Sequence, residues 1–493
     1  MKLSAIVAEK RTAIPWLAVW AVACVVCLLL PLPILSRAFF AAAVSNFLFC
    51  ALYYGNIYNL PGIFASIFLL QIGCSQAKLT AVEQCDFSRS TWTVLLAVLA
   101  AFYAVVFLMN RLLHLKGERG GQKLEFRMVL SVMLFLNIAC LVIEAAVYIA
   151  VYCKLGPVPL FDDAVRSKAM PELIGNVGIT FMVLPQFMIM LNMAYCVERN
   201  RYWLSLFSVV FLGMLVTIGA RINVFIPVIV CLVMILVAMY RYKKRFWQLL
   251  ATAALSCVVT VLLMLGIPLL RTSSYVPSTP GTTPDDSSVV PSGQSYYEKI
   301  YSDASMNEGQ INPDPNYGIR LPSVALPVWV NFSTELYGFN NMVNTLDQTQ
   351  DFQYGKCFLT GTLNFLFKNA VEKPNSTELS GIRFITVCTF LMEPYHDFGM
   401  IGAVLFVALY TALGLFLYQR MMKKNSLFSV MYYSYYCMIA MMFIFVNHMY
   451  YSTFIVNTIL IALCCFIVSV DWKAKIFGNT FGNRKKQEEQ AEA

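Results

Sequence analysis

Residues Thr389 to Ala403 read TFLMEPYHDFGMIGA and stand at the doorway of a long apolar run. Proline is tolerated in the first turn of a helix, where its missing N–H would have no partner anyway, so Pro394 marks a helix start. The spacing predicts a helix over 394–418, with Glu393 at its cap and His396 and Asp397 on one face of the first turn. A helix N-terminus carries positive partial charge and unpaired N–H groups, which favour anions and carboxylates. Gly399 and Gly402 predict close approach of another helix.

Working outward, the composition excludes a set of soluble domains. The chain of 493 residues is 59% hydrophobic and only 13% charged, with a mean hydropathy of +0.66. Apolar runs of about twenty residues recur, each long enough to cross a bilayer. Lipid-exposed backbone must satisfy its hydrogen bonds internally, so these runs predict an all-α polytopic membrane protein. The net charge of +9 needs no nucleic acid, because Lys and Arg collect in short loops and at the tail, where they orient the chain and meet anionic lipid. Most of the 15 cysteines lie in apolar runs, where cysteine behaves as a small hydrophobe. Only Cys74 with Cys85, and Cys357 with Cys388, stand where pairing outside the membrane is open. The three histidines, His114, His396 and His448, are far apart, and no Cys/His cluster has metal spacing, so neither metal nor cofactor is expected. The first apolar run is too long for a cleavable signal and lacks a small-residue cleavage site.

In chain order, spans are expected near 13–35, 38–54, 60–76, 91–110, 126–153, 174–196 and 203–219. An eighth runs back to the basic cluster at Arg241, and a ninth covers 246–270. Residues 271–393 are the one long hydrophilic segment. Its first part, rich in Ser, Pro, Thr, Gly and Asp, reads as loop. Its amphipathic pieces, 321–346, 352–371 and 381–392, predict short helices at the membrane surface. Three further spans follow within 394–470, then a charged tail over 471–493. Every strongly basic loop falls on one side, so about twelve spans are expected, with both termini cytoplasmic and the long loop outside.

The outer face then gathers arginines and carboxylates. Arg221, Arg320 and Arg383 suit a phosphate-bearing lipid, since a guanidinium holds phosphate oxygens in pairs and stays charged. Arg221 is equally suited to anchoring a turn among headgroups, and Arg383 to snorkelling. A carboxylate or histidine among Glu393, His396 and Asp397 can take the proton of an attacking hydroxyl. Glu144 lies about 13 Å inside its span at roughly 1.5 Å per residue. A carboxylate at that depth must be paired, protonated or open to a cavity, which makes it a candidate site residue. Tyr395, between these groups, joins Glu144 as a candidate substrate contact.

The segment TFLMEPYHDFGMIGA, the turn IGARIN (218–223), the GPVPLF loop (156–161) and one large late outer loop together resemble the O-antigen polymerases, the oligosaccharide repeat-unit polymerases. The resemblance implies a GT-C-type, metal-independent membrane glycosyltransferase. Such an enzyme moves a growing glycan from undecaprenyl diphosphate onto another lipid-linked repeat unit, as in O-antigen, lipopolysaccharide or capsule synthesis. It also implies a bacterial inner-membrane location, a lipid-linked oligosaccharide substrate among membrane lipids and a chain-length regulator as a partner. It places Arg221 in the IGARIN turn and Glu393, His396 and Asp397 in the acidic motif, and leaves open which of the three is the base. The related O-antigen ligases share the plan. A flippase or transporter is the rival from another class, although transporters tend to show internal repeats and midplane charges, whereas here no repeat is seen and the charges crowd one outer face, with only Glu144 buried.

Overall fold

A computed structural model describes residues 18–79, 83, 85–113, 130–156, 158–160, 183–218, 221–241, 246–273, 329, 332–367, 380, 389–423, 427–444, 447, 449 and 452–469. Among these residues every regular element is a helix. In order they are α1 (Ala18–Leu29), α2 (Ile34–Tyr54), α3 (Leu60–Ser75), α4 (Arg89–Leu113), α5 (Leu130–Leu155), α6 (Leu184–Arg199), α7 (Ser205–Thr217) and α8 (Arg221–Arg241). Then come α9 (Phe246–Ser273), α10 (Glu335–Thr349), α11 (Lys356–Phe367), α12 (Met392–Lys423), α13 (Leu427–Met442) and α14 (Ser452–Ser469).

A helix lies on each stretch expected to span. Five of the helices, α2, α4, α5, α8 and α12, contain runs long and apolar enough to cross a membrane. Others are shorter. The 16 residues of α3 would cover only about 24 Å at 1.5 Å per residue. Nearly every side chain of α3 is buried against neighbouring helices, whereas α2 and α4 expose many apolar side chains.

Between helices in lipid, apolar burial gives little driving force, so packing and interhelical hydrogen bonds must hold the bundle. The tyrosine-rich α13 shows how. It packs on α3, α6, α8, α12 and α14 and so joins the two halves of the bundle. Its Tyr433 hydroxyl donates to the Tyr58 carbonyl at 2.7 Å. Tyr436 and Tyr410 stack at 4.4 Å, and each donates to the other's carbonyl. The carbonyls just past the end of α13 are also met: Phe443 O accepts from Phe390 N at 3.3 Å, and Ile444 O from Gln71 Nε2 at 2.7 Å. Phe390 stacks flat on Phe443 at 4.4 Å, inside a cluster with Phe64, Phe68 and Phe406. These contacts fix the turn that opens α12.

Two sequence expectations change. The helix over 394–418 begins at Met392 and is broken: Phe398 has φ −140°, ψ 20° and Gly399 has φ 59°, ψ −148°. The Gly399 conformation is essentially closed to residues with a Cβ. Beyond the break the chain doubles back, and a Cβ on Gly402 would stand only 2.1 Å from the Pro394 carbonyl oxygen. The close approach expected at Gly402 therefore comes from the preceding turn of the same segment rather than from another helix. The second change concerns α10, expected as an amphipathic piece with one polar side. Its apolar stripe of Leu336, Phe339, Met342, Val343 and Leu346 is buried, and so are Tyr337 and Asn340 on its other side. The piece expected over 381–392 lies largely outside the described residues, as does Cys388; Cys74 and Cys85 are separate thiols.

Gly402→Ala is expected to lower the melting temperature and to reduce folded protein, because backbone must move. Gly213→Ala on α7, where a Cβ meets open space, should be neutral or stabilising by about 0.5–1 kcal/mol. Equal melting temperatures for the two variants in the same detergent would show that the doubled-back turn is not required.

Candidate active site

The first turn of α12 is held from three sides. Tyr395 donates from its hydroxyl to Asp347 Oδ1 at 2.9 Å, and its ring lies edge-on to Phe339 at 5.5 Å. The linker between α10 and α11 pairs with the same turn through its backbone. Gln353 N donates to His396 O at 3.0 Å and Tyr354 N to Asp397 O at 3.1 Å. The third hold is the Asp397 carboxylate. Oδ1 accepts from Cys357 N at 3.0 Å and Oδ2 from Phe358 N at 2.8 Å. Both N–H groups belong to the opening turn of α11, where backbone donors lack helical partners and positive partial charge collects. Asp397 is fully buried, and these two bonds supply its solvation.

α10 is itself anchored. The Tyr337 hydroxyl stands 2.7 Å from the carbonyls of both Ser75 and Glu83. Asn340 Oδ1 accepts from Ser88 N at 2.8 Å and from Thr91 Oγ1 at 2.9 Å. Glu83 in turn accepts from Leu79 N at 2.7 Å and Trp329 Nε1 at 2.9 Å. α10 is thereby locked to the ends of α3 and α4.

The sequence-derived candidates part company here. His396 places Nδ1 3.2 Å from Cys357 Sγ. Burial, with the Asp397 and Glu393 carboxylates nearby, pushes the Cys357 thiol up to about 12. The thiol is therefore protonated at neutral pH and donates to Nδ1. In its neutral form the imidazole then carries its own proton on Nε2, where it is a donor. Glu393 is buried, and its Oε2 has no hydrogen-bond partner. Of the three acidic-motif residues it alone leaves a carboxylate oxygen uncommitted.

Glu144 lies elsewhere, on α5, which packs on α6 and α7. It is fully buried, and neither carboxylate oxygen has a hydrogen-bond partner. Seven residues earlier on the same helix, Asn137 and Asn192 exchange two side-chain bonds of 2.8 Å. Arg221 is the first residue of α8, and its side chain is outside the described residues, as are Arg320 and Arg383. The loop carrying GPVPLF does meet the end of α7, through Leu160 N to Thr217 O at 3.1 Å. Asn223, two residues after Arg221, accepts through its carbonyl from Gln186 Nε2 at 3.1 Å. Two of the motifs read from the sequence are thus neighbours. Among the described residues no group of three or more His, Cys, Asp or Glu side chains stands close enough to hold a metal ion.

Residues 58–279 match the family described as "Putative O-antigen polymerase". That match supports the O-antigen polymerase family. The match covers less than half of the chain and, with the apolar helices, supports a membrane polymerase role in O-antigen synthesis. The matched region holds Glu144, the GPVPLF loop and Arg221 and ends before the acidic motif of α12. No curated protein and no solved structure matches the chain significantly.

Sequence reasoning gave Cys357 only an open pairing with Cys388 and passed over Asp347, Glu83 and Glu335. Cys357, Asp347 and Glu83 meet His396, Tyr395 and Trp329 at separations of 39, 48 and 246 residues, and no local pattern reports such pairs. A division of labour within the motif is testable. Asp397→Asn turns one acceptor into a donor facing an N–H, at a cost of about 2–4 kcal/mol. The expected result is less folded protein and a lower melting temperature, whereas Glu393→Gln keeps both. A fully folded Asp397→Asn protein would show that the carboxylate does not hold α11.

Proposed function

We propose that the chain polymerises undecaprenyl-diphosphate-linked repeat units at the outer face of a bacterial inner membrane. Glu393 is the general base and Arg221 the principal diphosphate clamp. The observation that carries the base assignment is the uncommitted Oε2 of Glu393. A general base needs a free lone pair within reach of the proton it removes. Asp397 spends both oxygens on α11, and His396 offers a donor while the thiol occupies its Nδ1. In this reading the acceptor hydroxyl gives its proton to Glu393 as it attacks the anomeric carbon of the donor glycan. The bond to the lipid diphosphate breaks, and the diphosphate leaves with its negative charge held by Arg221, assisted by Arg320 or Arg383. Tyr395 and Glu144 line the paths of acceptor and donor. Arginine can supply this charge without a metal ion, and the long outer loop sits where lipid-linked repeats are polymerised.

Two measurements test this reading. Reporter fusions near Ser292 and Lys373 should report outside, and fusions near Gly121, Lys244 and Lys424 inside; a cytoplasmic Ser292 would end it. In a deletion strain, Arg221→Ala and Glu393→Gln should each lose polymer at normal protein level, leaving single capped repeats. Loss of capped repeats altogether would indicate a ligase instead. One charge-assisted contact to the leaving diphosphate corresponds to about 2–4 kcal/mol, roughly 30- to 1000-fold in rate. Arg221→Lys should restore activity only in part, because lysine lacks the paired geometry. Wild-type chain lengths from Arg221→Ala would sink the clamp.

A further inference from the structure

Ser333 and Glu335 stand at the start of α10, and both side chains are buried, with 0% and 5% exposure. Ser333 Oγ and Glu335 Oε2 have no hydrogen-bond partner. Further along α10 the buried polar groups are matched, through the Tyr337 hydroxyl and Asn340. The orphans therefore gather at one end. Phe339 lies one turn beyond Glu335 on the same helix face, and its ring meets Tyr395. That face of α10 is turned to the segment carrying Glu393, whose Oε2 is a third orphan. Burial pushes the Glu335 carboxyl well above the usual carboxylate range, which favours the form that offers an O–H donor as well as acceptors. Buried polar atoms are rarely left unmatched, and where they are, a ligand can complete them. An apolar ligand would leave these unmatched, and an anion would meet nearby carboxyl oxygens. A hydroxyl, which both donates and accepts, fits.

We propose that Ser333 and Glu335 form a sugar-hydroxyl subsite that holds the acceptor glycan against Glu393. This rests on the polymerase reading above. The test uses the full chain in lipid nanodiscs, with single lipid-linked repeat units extracted from the deletion strain. Glu335→Ala should raise the acceptor KM by roughly 10- to 100-fold, with kcat within about 3-fold of wild type, as expected for a lost ground-state contact. Glu335→Gln, whose amide also donates and accepts, should stay within about 3-fold on both constants, and Ser333→Ala should raise KM by about 3- to 10-fold. Dicyclohexylcarbodiimide, which modifies protonated carboxyls in apolar surroundings, should label Glu335 in the wild type, and the repeat unit should block that label. A wild-type KM in Glu335→Ala, a kcat loss at unchanged KM in Glu335→Gln, or labelling indifferent to the repeat unit would each overturn the subsite. Protection of Glu335 in a wild-type protein that makes no polymer would instead defeat the polymerase reading and leave the subsite standing.

Discussion

A single carboxylate, that of Asp397, bonded to the amides of Cys357 and Phe358, is the constraint on which the arrangement of α10, α11 and α12 depends. A buried charge is costly unless it is matched by hydrogen bonds or an opposite charge. Here the match is the N-terminus of α11, so that helix is drawn in until its opening turn touches α12. His396 then meets Cys357, and the α10–α11 linker lies along the backbone of residues 396–397. The broken geometry at Phe398 and Gly399 lets the turn bearing the carboxylate leave the axis of the long helix. Without the break, Asp397 would lie on the wall of a continuous apolar helix.

Beneath that turn, aromatic packing does what apolar burial alone cannot do in lipid. The stacked pairs Phe390–Phe443 and Tyr410–Tyr436 join α12 to α13, each such pair adding about 0.5–1.5 kcal/mol beyond area burial. The tyrosines also give their hydroxyls to carbonyls of neighbouring helices. The opening turn of α12 is thus rigid because its floor is rigid, and a carboxyl placed on it keeps a fixed bearing toward α10.

Much of this was legible in the sequence. Long apolar runs located the helices, and the crowding of Glu393, His396 and Asp397 located the turn. What escaped was tertiary. Gly399 looks the same in a sequence whether it admits a neighbouring helix or a positive φ. Asp397 and its amide partners are about forty residues apart, and helix periodicity is silent at that range. The burial of α10 escaped for a related reason. Its apolar stripe is visible, but Tyr337 and Asn340 read as a polar outer side until their partners on α3 and α4 are seen. Glu335 was overlooked because an acidic residue in a first helical turn is commonplace.

The linker from Gln350 to Gly355 has a consequence for how this face can change over time. Gln350, Tyr354 and Gly355 all adopt positive φ, at 56°, 49° and 95°, and Gln353 and Tyr354 are in register with residues 396 and 397. Outer loops ordinarily absorb inserted or deleted residues with little penalty. Adding or removing one residue here would move Cys357 and Phe358 away from the carboxylate and re-aim the thiol beside His396. Length variation on this side of the molecule must therefore be confined to other stretches, and this six-residue connection acts as a ruler between the loop and the helix it serves.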